Sequence, residues 1–135
     1  MENQAEKKDP SKFDWVTERS SCSLPKTFLT LRQQVEADVK ARNGLRPANS
    51  PYEFSVVDKG SDFMVVLTAK DSSTSVTFSL AEKAIVVLNN EGEKMFEITL
   101  TFTEKGECKL IVNNEERESW RVRRMALEDL MFRGQ

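Results

Sequence analysis

Residues 96–103 alternate apolar and polar side chains without a break. Phe96, Ile98, Leu100 and Phe102 point one way, and Glu97, Thr99, Thr101 and Thr103 point the other. A period of two over this length requires a strand with one dry face and one wet face, and the dry face needs a layer packed against it. The 74–80 segment repeats the pattern, with Val76, Phe78 and Leu80 against Ser75, Thr77 and Ser79, and in 107–113 Cys108, Leu110 and Val112 oppose Lys109 and Ile111. Strands are expected over 52–58, 62–70, 74–80, 84–89, 94–103 and 107–113, about six in all. The links between them include Asp58-Lys59-Gly60-Ser61, Lys70-Asp71-Ser72-Ser73, Asn89-Asn90-Glu91-Gly92 and Glu104-Lys105-Gly106, turn sequences too short for anything but antiparallel neighbours.

The covering layer is legible just upstream. Leu24, Phe28, Leu31, Val35 and Val39 recur at helical spacing and draw one apolar stripe. Ser23 is placed to cap this helix, Pro25 suits its first turn, Asn43-Gly44 predicts a left-handed stop, and Pro47 lies just beyond. Glu36 with Lys40, and Asp38 with Arg42, form favourable pairs on the opposite side. A second, short helix is expected from Arg123 to Phe132, with Ala126, Leu127, Leu130 and Met131 gathered on one side. Trp120 and Val122 read as an extended lead-in, because Arg123 would fall inside the apolar arc of a longer helix. Phe13, Trp15 and Val16 alternate and predict a short docked strand or extended cover, after a polar tail over Met1–Lys12. The fold class is therefore α+β: a long amphipathic N-terminal helix packed on a curved antiparallel meander, with a short C-terminal helix, in a single domain over residues 13–135.

Two strands carry apolar residues on both faces. Phe63, Val65 and Leu67 oppose Met64 and Val66, while Ala84, Val86 and Leu88 oppose Ile85 and Val87. A second apolar face needs cover. A protein partner or a second copy of the chain would supply it, with Phe63, Val65, Leu67, Val86 and Leu88 as the candidate interface. A different reading follows from the order of elements, which is similar to that of helix-grip folds, though the long helix is unbroken and the last one short. That topological likeness implies a small apolar ligand between helix and sheet, held by Phe28, Leu31, Val35, Phe78, Ile98 and Leu100.

Composition narrows the function classes. The 135 residues contain no histidine, which removes the commonest general base, the commonest metal ligand and every nucleophile pairing that depends on it. Five scattered glycines form no phosphate loop. Any active site would have to be built from Asp, Glu, Lys, Arg and Tyr52, and no cofactor or metal is expected. Arg117, Trp120, Arg121 and Arg124 are the candidate anion contact, but Glu115, Glu116 and Glu118 stand beside them, and the net charge is −2. Neither nucleic acid nor a membrane is expected as a partner. Cys22 and Cys108 have no metal or redox spacing and nothing in the sequence implies a bond between them; Cys22 reads as a packing residue and Cys108 as core. The polar N-terminus and the absence of an apolar run longer than five residues suggest a cytoplasmic location. The reading is a non-enzymatic protein-interaction module that self-associates through its sheet, with the apolar-ligand carrier as the alternative.

Overall fold

In the computed structural model, which describes residues 12–132, the alternating segments pair with their sequence neighbours in one antiparallel sheet. Its strands, in spatial as in chain order, are β1 (Glu53–Asp58), β2 (Asp62–Thr68), β3 (Ser73–Leu80), β4 (Ile85–Leu88), β5 (Lys94–Phe102), β6 (Cys108–Val112) and β7 (Glu115–Arg117). The fold is α+β as expected, with seven strands in place of about six. The seventh follows a two-residue turn in which Asn113 and Asn114 take φ of 53° and 67°, the left-handed values of a tight hairpin link. Being Glu-Glu-Arg, β7 carries no apolar alternation to announce it. Between β4 and β5 the register slips at Val87/Leu88, so Met95 has no partner across the ladder and stands 41% exposed.

Three helices complete the order: α1 (Trp15–Ser21), α2 (Leu24–Leu45) and α3 (Ser119–Phe132). In α2, Phe28, Leu31, Val35 and Val39 are buried, and Leu24 packs partly exposed at the edge of the same cluster. Burying each large apolar side chain stabilises by about 1.5–3 kcal/mol, several times what a surface ion pair contributes, so the stripe holds the helix down. Against it stand Phe63, Val65, Val76, Phe78, Ile85, Val87 and Ile98, all buried on one face of the sheet. The Phe63 ring stacks on Phe78 across β2 and β3, centroids 4.7 Å apart, and Phe28 tilts onto it at 5.2 Å.

The helix ends depart from expectation in informative ways. Ser23 caps α2 through the Lys26 amide, but the helix runs to Leu45, and Gly44 is not among the left-handed glycines. Asn43 instead turns its side chain onto β1, accepting from the Phe54 amide at 3.0 Å and donating to the Phe54 carbonyl at 2.8 Å. The Phe13–Val16 segment is neither strand nor extended cover: Asp14 caps α1 by accepting from the Thr17 amide, and Trp15 and Val16 remain exposed. The aromatic ring of Phe13 rests on Gly106, where an added Cβ would lie 2.5 Å from it. The proposed tail over Met1–Lys12 lies, apart from Lys12, outside the described residues.

The last helix starts at Ser119 and takes in Trp120 and Val122. Arg123 does fall within its apolar arc, as the spacing warned, but the helix lies beside α2, so this side chain reaches across the seam to Asp38 at 3.3 Å. Asp38 is thereby committed to Arg123 and not to Arg42, its expected partner. Contacts Gln34–Ser119, Asp38–Arg123 and Arg42–Met131 advance together along both helices, so α2 and α3 run parallel on the same face of the sheet.

Cys22 and Cys108 form a disulfide, with Cα atoms 5.4 Å apart, which overturns the reading of both as plain packing residues. Cys22 is buried, while Cys108, on the helix side as expected, lies exposed at the sheet's end. The bond ties the segment leading into α2 to β6 across a sequence separation of 86. Closing so long a loop restricts the unfolded chain, which makes the bond worth about 2–4 kcal/mol. We therefore expect the Cys22→Ala/Cys108→Ser variant to unfold at lower denaturant by that margin in equilibrium urea titration; an unchanged midpoint would show that the bond contributes nothing.

Candidate functional site

Five of the six residues expected to line a ligand pocket come together between helices and sheet. Phe28, Leu31, Val35, Phe78 and Ile98 are each no more than 2% exposed and belong to one contiguous cluster of packed side chains, with Leu100 half-buried on the same face. Within that cluster the Phe28 and Phe78 rings both meet the ring of Phe63.

The five expected interface residues divide between two faces. Phe63 and Val65 are fully buried beneath the helices, and Leu67 packs on the same cluster. Val86 and Leu88 point the other way, because the pairing of Phe78 with Val87 places Val87, and not its neighbours, on the helix side. The exposed face of the sheet thus consists of Val86 and Leu88 together with Val57, Met64 and Val66, which parity assigns there through the pairs Val57–Met64 and Val66–Ser75. Val57, Met64, Thr77 and Leu88 stand abreast across four strands. None of these apolar residues belongs to the core cluster. Both long helices occupy the opposite face, and Trp15 and Val16 of α1 stand exposed, so they do not cover this one.

The candidate anion contact is internally neutralised. Arg117 meets Glu115 at 2.9 Å, Arg121 meets Glu118 at 3.6 Å, and Arg124 meets Glu128 at 2.9 Å. The Trp120 indole donates to Glu118 at 3.2 Å, and the Arg121 guanidinium lies over its ring. The hydrogen bond and charge of Glu128 hold the Arg124 proton more tightly than usual. The four residues share the start of α3 and β7, but their charges are spent on neighbouring carboxylates.

A second arginine group was not singled out by sequence. Arg42 and Arg46, at the end of α2, line a cleft of about 800 Å³ with Leu45, Tyr52, Leu67 and Met131 among its walls. Arg42, Leu45 and Met131 also line a groove of about 420 Å³ between α2 and α3 whose walls include Trp120 and Phe132, with Asp38 and Glu128 there paired to Arg123 and Arg124. Spacing alone could not find the pair, because Arg46 is the extended residue just past the end of α2 and shares no helix face with Arg42. Among the described residues no group of three or more His, Cys, Asp or Glu is arranged to hold a metal ion, and no helix is long and apolar enough to cross a membrane. Compared with known proteins, the chain matches no family model, no curated protein and no solved structure.

The Asp38 carboxyl is held away from its ordinary value. Partial burial at the α2–α3 seam pushes its pKa above 3.8, and the positive charge of Arg123 works against that rise. A raised carboxyl binds its proton more readily in the folded chain than in the unfolded one, so the stability that Asp38 contributes falls as pH climbs above the ordinary value. Replacing Arg123 with alanine removes the opposing charge and should drive the Asp38 pKa higher still, read from the side-chain carboxyl carbon in an NMR titration. A downward shift would contradict the pairing.

Proposed function

We propose that this chain is a non-enzymatic protein-interaction module that self-associates through the exposed face of its sheet. The observation that carries the reading is the segregation of layers. Both long helices cover one face, and the other presents Val57, Met64, Val66, Val86 and Leu88 without a covering element among the described residues. The row formed by Val57, Met64, Thr77 and Leu88 is uncharged, and Lys94 and Glu97, which border it on β5, pair with each other at 2.9 Å, so a second copy can lay the same row against it with these charges at its margin. Face-to-face packing of two such sheets is the arrangement in which this half-apolar surface becomes interior.

The chemistry of the charged residues supports the binding role over catalysis, since the arginines of the basic cluster are tied into ion pairs with adjacent carboxylates. A persistent Cys22–Cys108 bond is a mark of oxidising surroundings, which weighs against the cytoplasmic location that the polar N-terminus suggests.

Val86 tests the reading because it stands on the free face, opposite Ser79 on β3 and Glu97 on β5. In Val86→Asp the new carboxylate would be buried without a partner in the assembled form, so self-association should weaken by at least about tenfold in sedimentation velocity. The circular dichroism spectrum of the monomer should be unchanged. A variant that assembles as the parent chain does would overturn the proposal.

A further inference from the structure

We propose that the cleft at the end of α2 docks a segment of a partner protein in which carboxylate side chains alternate with apolar ones. The two arginines of this cleft carry unspent charge. Arg32, Arg117, Arg121, Arg123 and Arg124 each have a carboxylate within ion-pair distance, whereas Arg42 and Arg46 have none among the described residues. No acidic residue lines the larger cleft that these two share.

Their geometry leaves donors directed outward. Arg42 is held between the rings of Phe54 and Phe132, 5.4 and 4.8 Å from its guanidinium carbon, and spends Nε on the Met131 carbonyl at 2.8 Å. That fixes the fork and leaves its two Nη groups without a described acceptor. Arg46 makes one contact, from Nη1 to the Ser50 carbonyl at 3.4 Å, and its Nε is buried with no partner. Arg32 and Arg117 also leave Nε unmatched, but a carboxylate meets the terminal nitrogens of each. Two half-buried guanidinium groups, positioned four residues apart and lacking a counter-ion, fit a pair of carboxylates.

The rim shows what else the occupant carries. Leu45 is 77% exposed, Tyr52 51% and Phe132 47%, all around the two arginines. A small-molecule site would enclose its ligand, whereas this one is a run of exposed aromatic, leucine and arginine side chains, the kinds that anchor protein contacts. The two connected clefts together also extend beyond one compact ligand. An extended segment that presents acids to Arg42 and Arg46 and apolar groups to Leu45, Tyr52 and Phe132 matches both properties. The surface lies on the helix side, away from the exposed sheet face, so this inference stands apart from self-association.

The test uses the full chain and a short fluorescein-labelled peptide of alternating glutamate and leucine, with a glutamine–leucine peptide as its neutral counterpart. Fluorescence anisotropy should show binding of the acidic peptide and at least about tenfold weaker binding of the neutral one, as expected for the loss of a charge-assisted hydrogen bond. Arg46→Glu should weaken the acidic peptide by a similar factor. Leu45→Glu, at a position too exposed to affect folding, should do the same. No binding by the parent chain, equal affinity for both peptides, or unchanged affinity in the two variants would overturn the proposal. So would displacement of the peptide by dodecanoate at comparable concentration, which would assign the cleft to a small apolar acid.

Discussion

Phe28 of α2 tilts onto Phe63, and Phe63 stacks on Phe78. This contact joins the long helix to the second and third strands at the point where all three are fully dry, and the rest of the structure is arranged around it. Leu31, Val35 and Val39 extend the contact along the helix, and Val65, Val87 and Ile98 extend it across the sheet. Once that face is committed to α2, α3 has only the remaining part of the same face to occupy. Val122, Ala126, Leu127, Leu130 and Met131 bury themselves there. The parallel run of the two helices then brings Arg123 to Asp38 and Arg42 to the Met131 carbonyl. These polar contacts set the alignment of a seam whose stability comes from burial.

Two surfaces follow from that commitment. With both helices on one side, the other side of the sheet keeps its half-apolar row, and this is the surface proposed for self-association. At the far end of the helix pair, Arg42 and Leu45 of α2 and Arg46 just after it line the cleft with Tyr52, and neither arginine has a carboxylate within ion-pair distance among the described residues. One surface is uncharged along its central row and suits a copy of itself, while the other is cationic with an aromatic rim and suits an acidic partner. The disulfide acts at the opposite end, where it fixes the entry to α2 against β6.

Much of this was legible from residue spacing. The apolar stripe of α2 and the alternation in β3 and β5 specify a helix over an antiparallel meander, because each pattern has a period that only one backbone geometry satisfies. What spacing did not reveal depends on contacts between segments distant in sequence. Strand β7 is polar and is recruited by the Asn113-Asn114 turn and by pairing with β6. Arg123 argued against a helix that also took in Trp120 and Val122, until a neighbouring helix supplied Asp38. Asn43 looked like a helix stop and serves instead as a clip on Phe54. Val65 and Val86 both looked available for an interface, and only pairing across β2, β3 and β4 separates them into core and surface. Cys22 and Cys108 gave no local sign of the bond, which requires the α2 entry and the β6 start to meet.

The claim that organises this account is that the space between helices and sheet is filled and the free face of the sheet is what the protein uses. Native mass spectrometry of the purified, oxidised chain addresses both parts at once. The account predicts the mass of two bare 15.4 kDa chains. A monomer carrying a discrete small extra mass would contradict it by showing an occupied interior, and a bare monomer at every concentration would contradict the role given to the sheet.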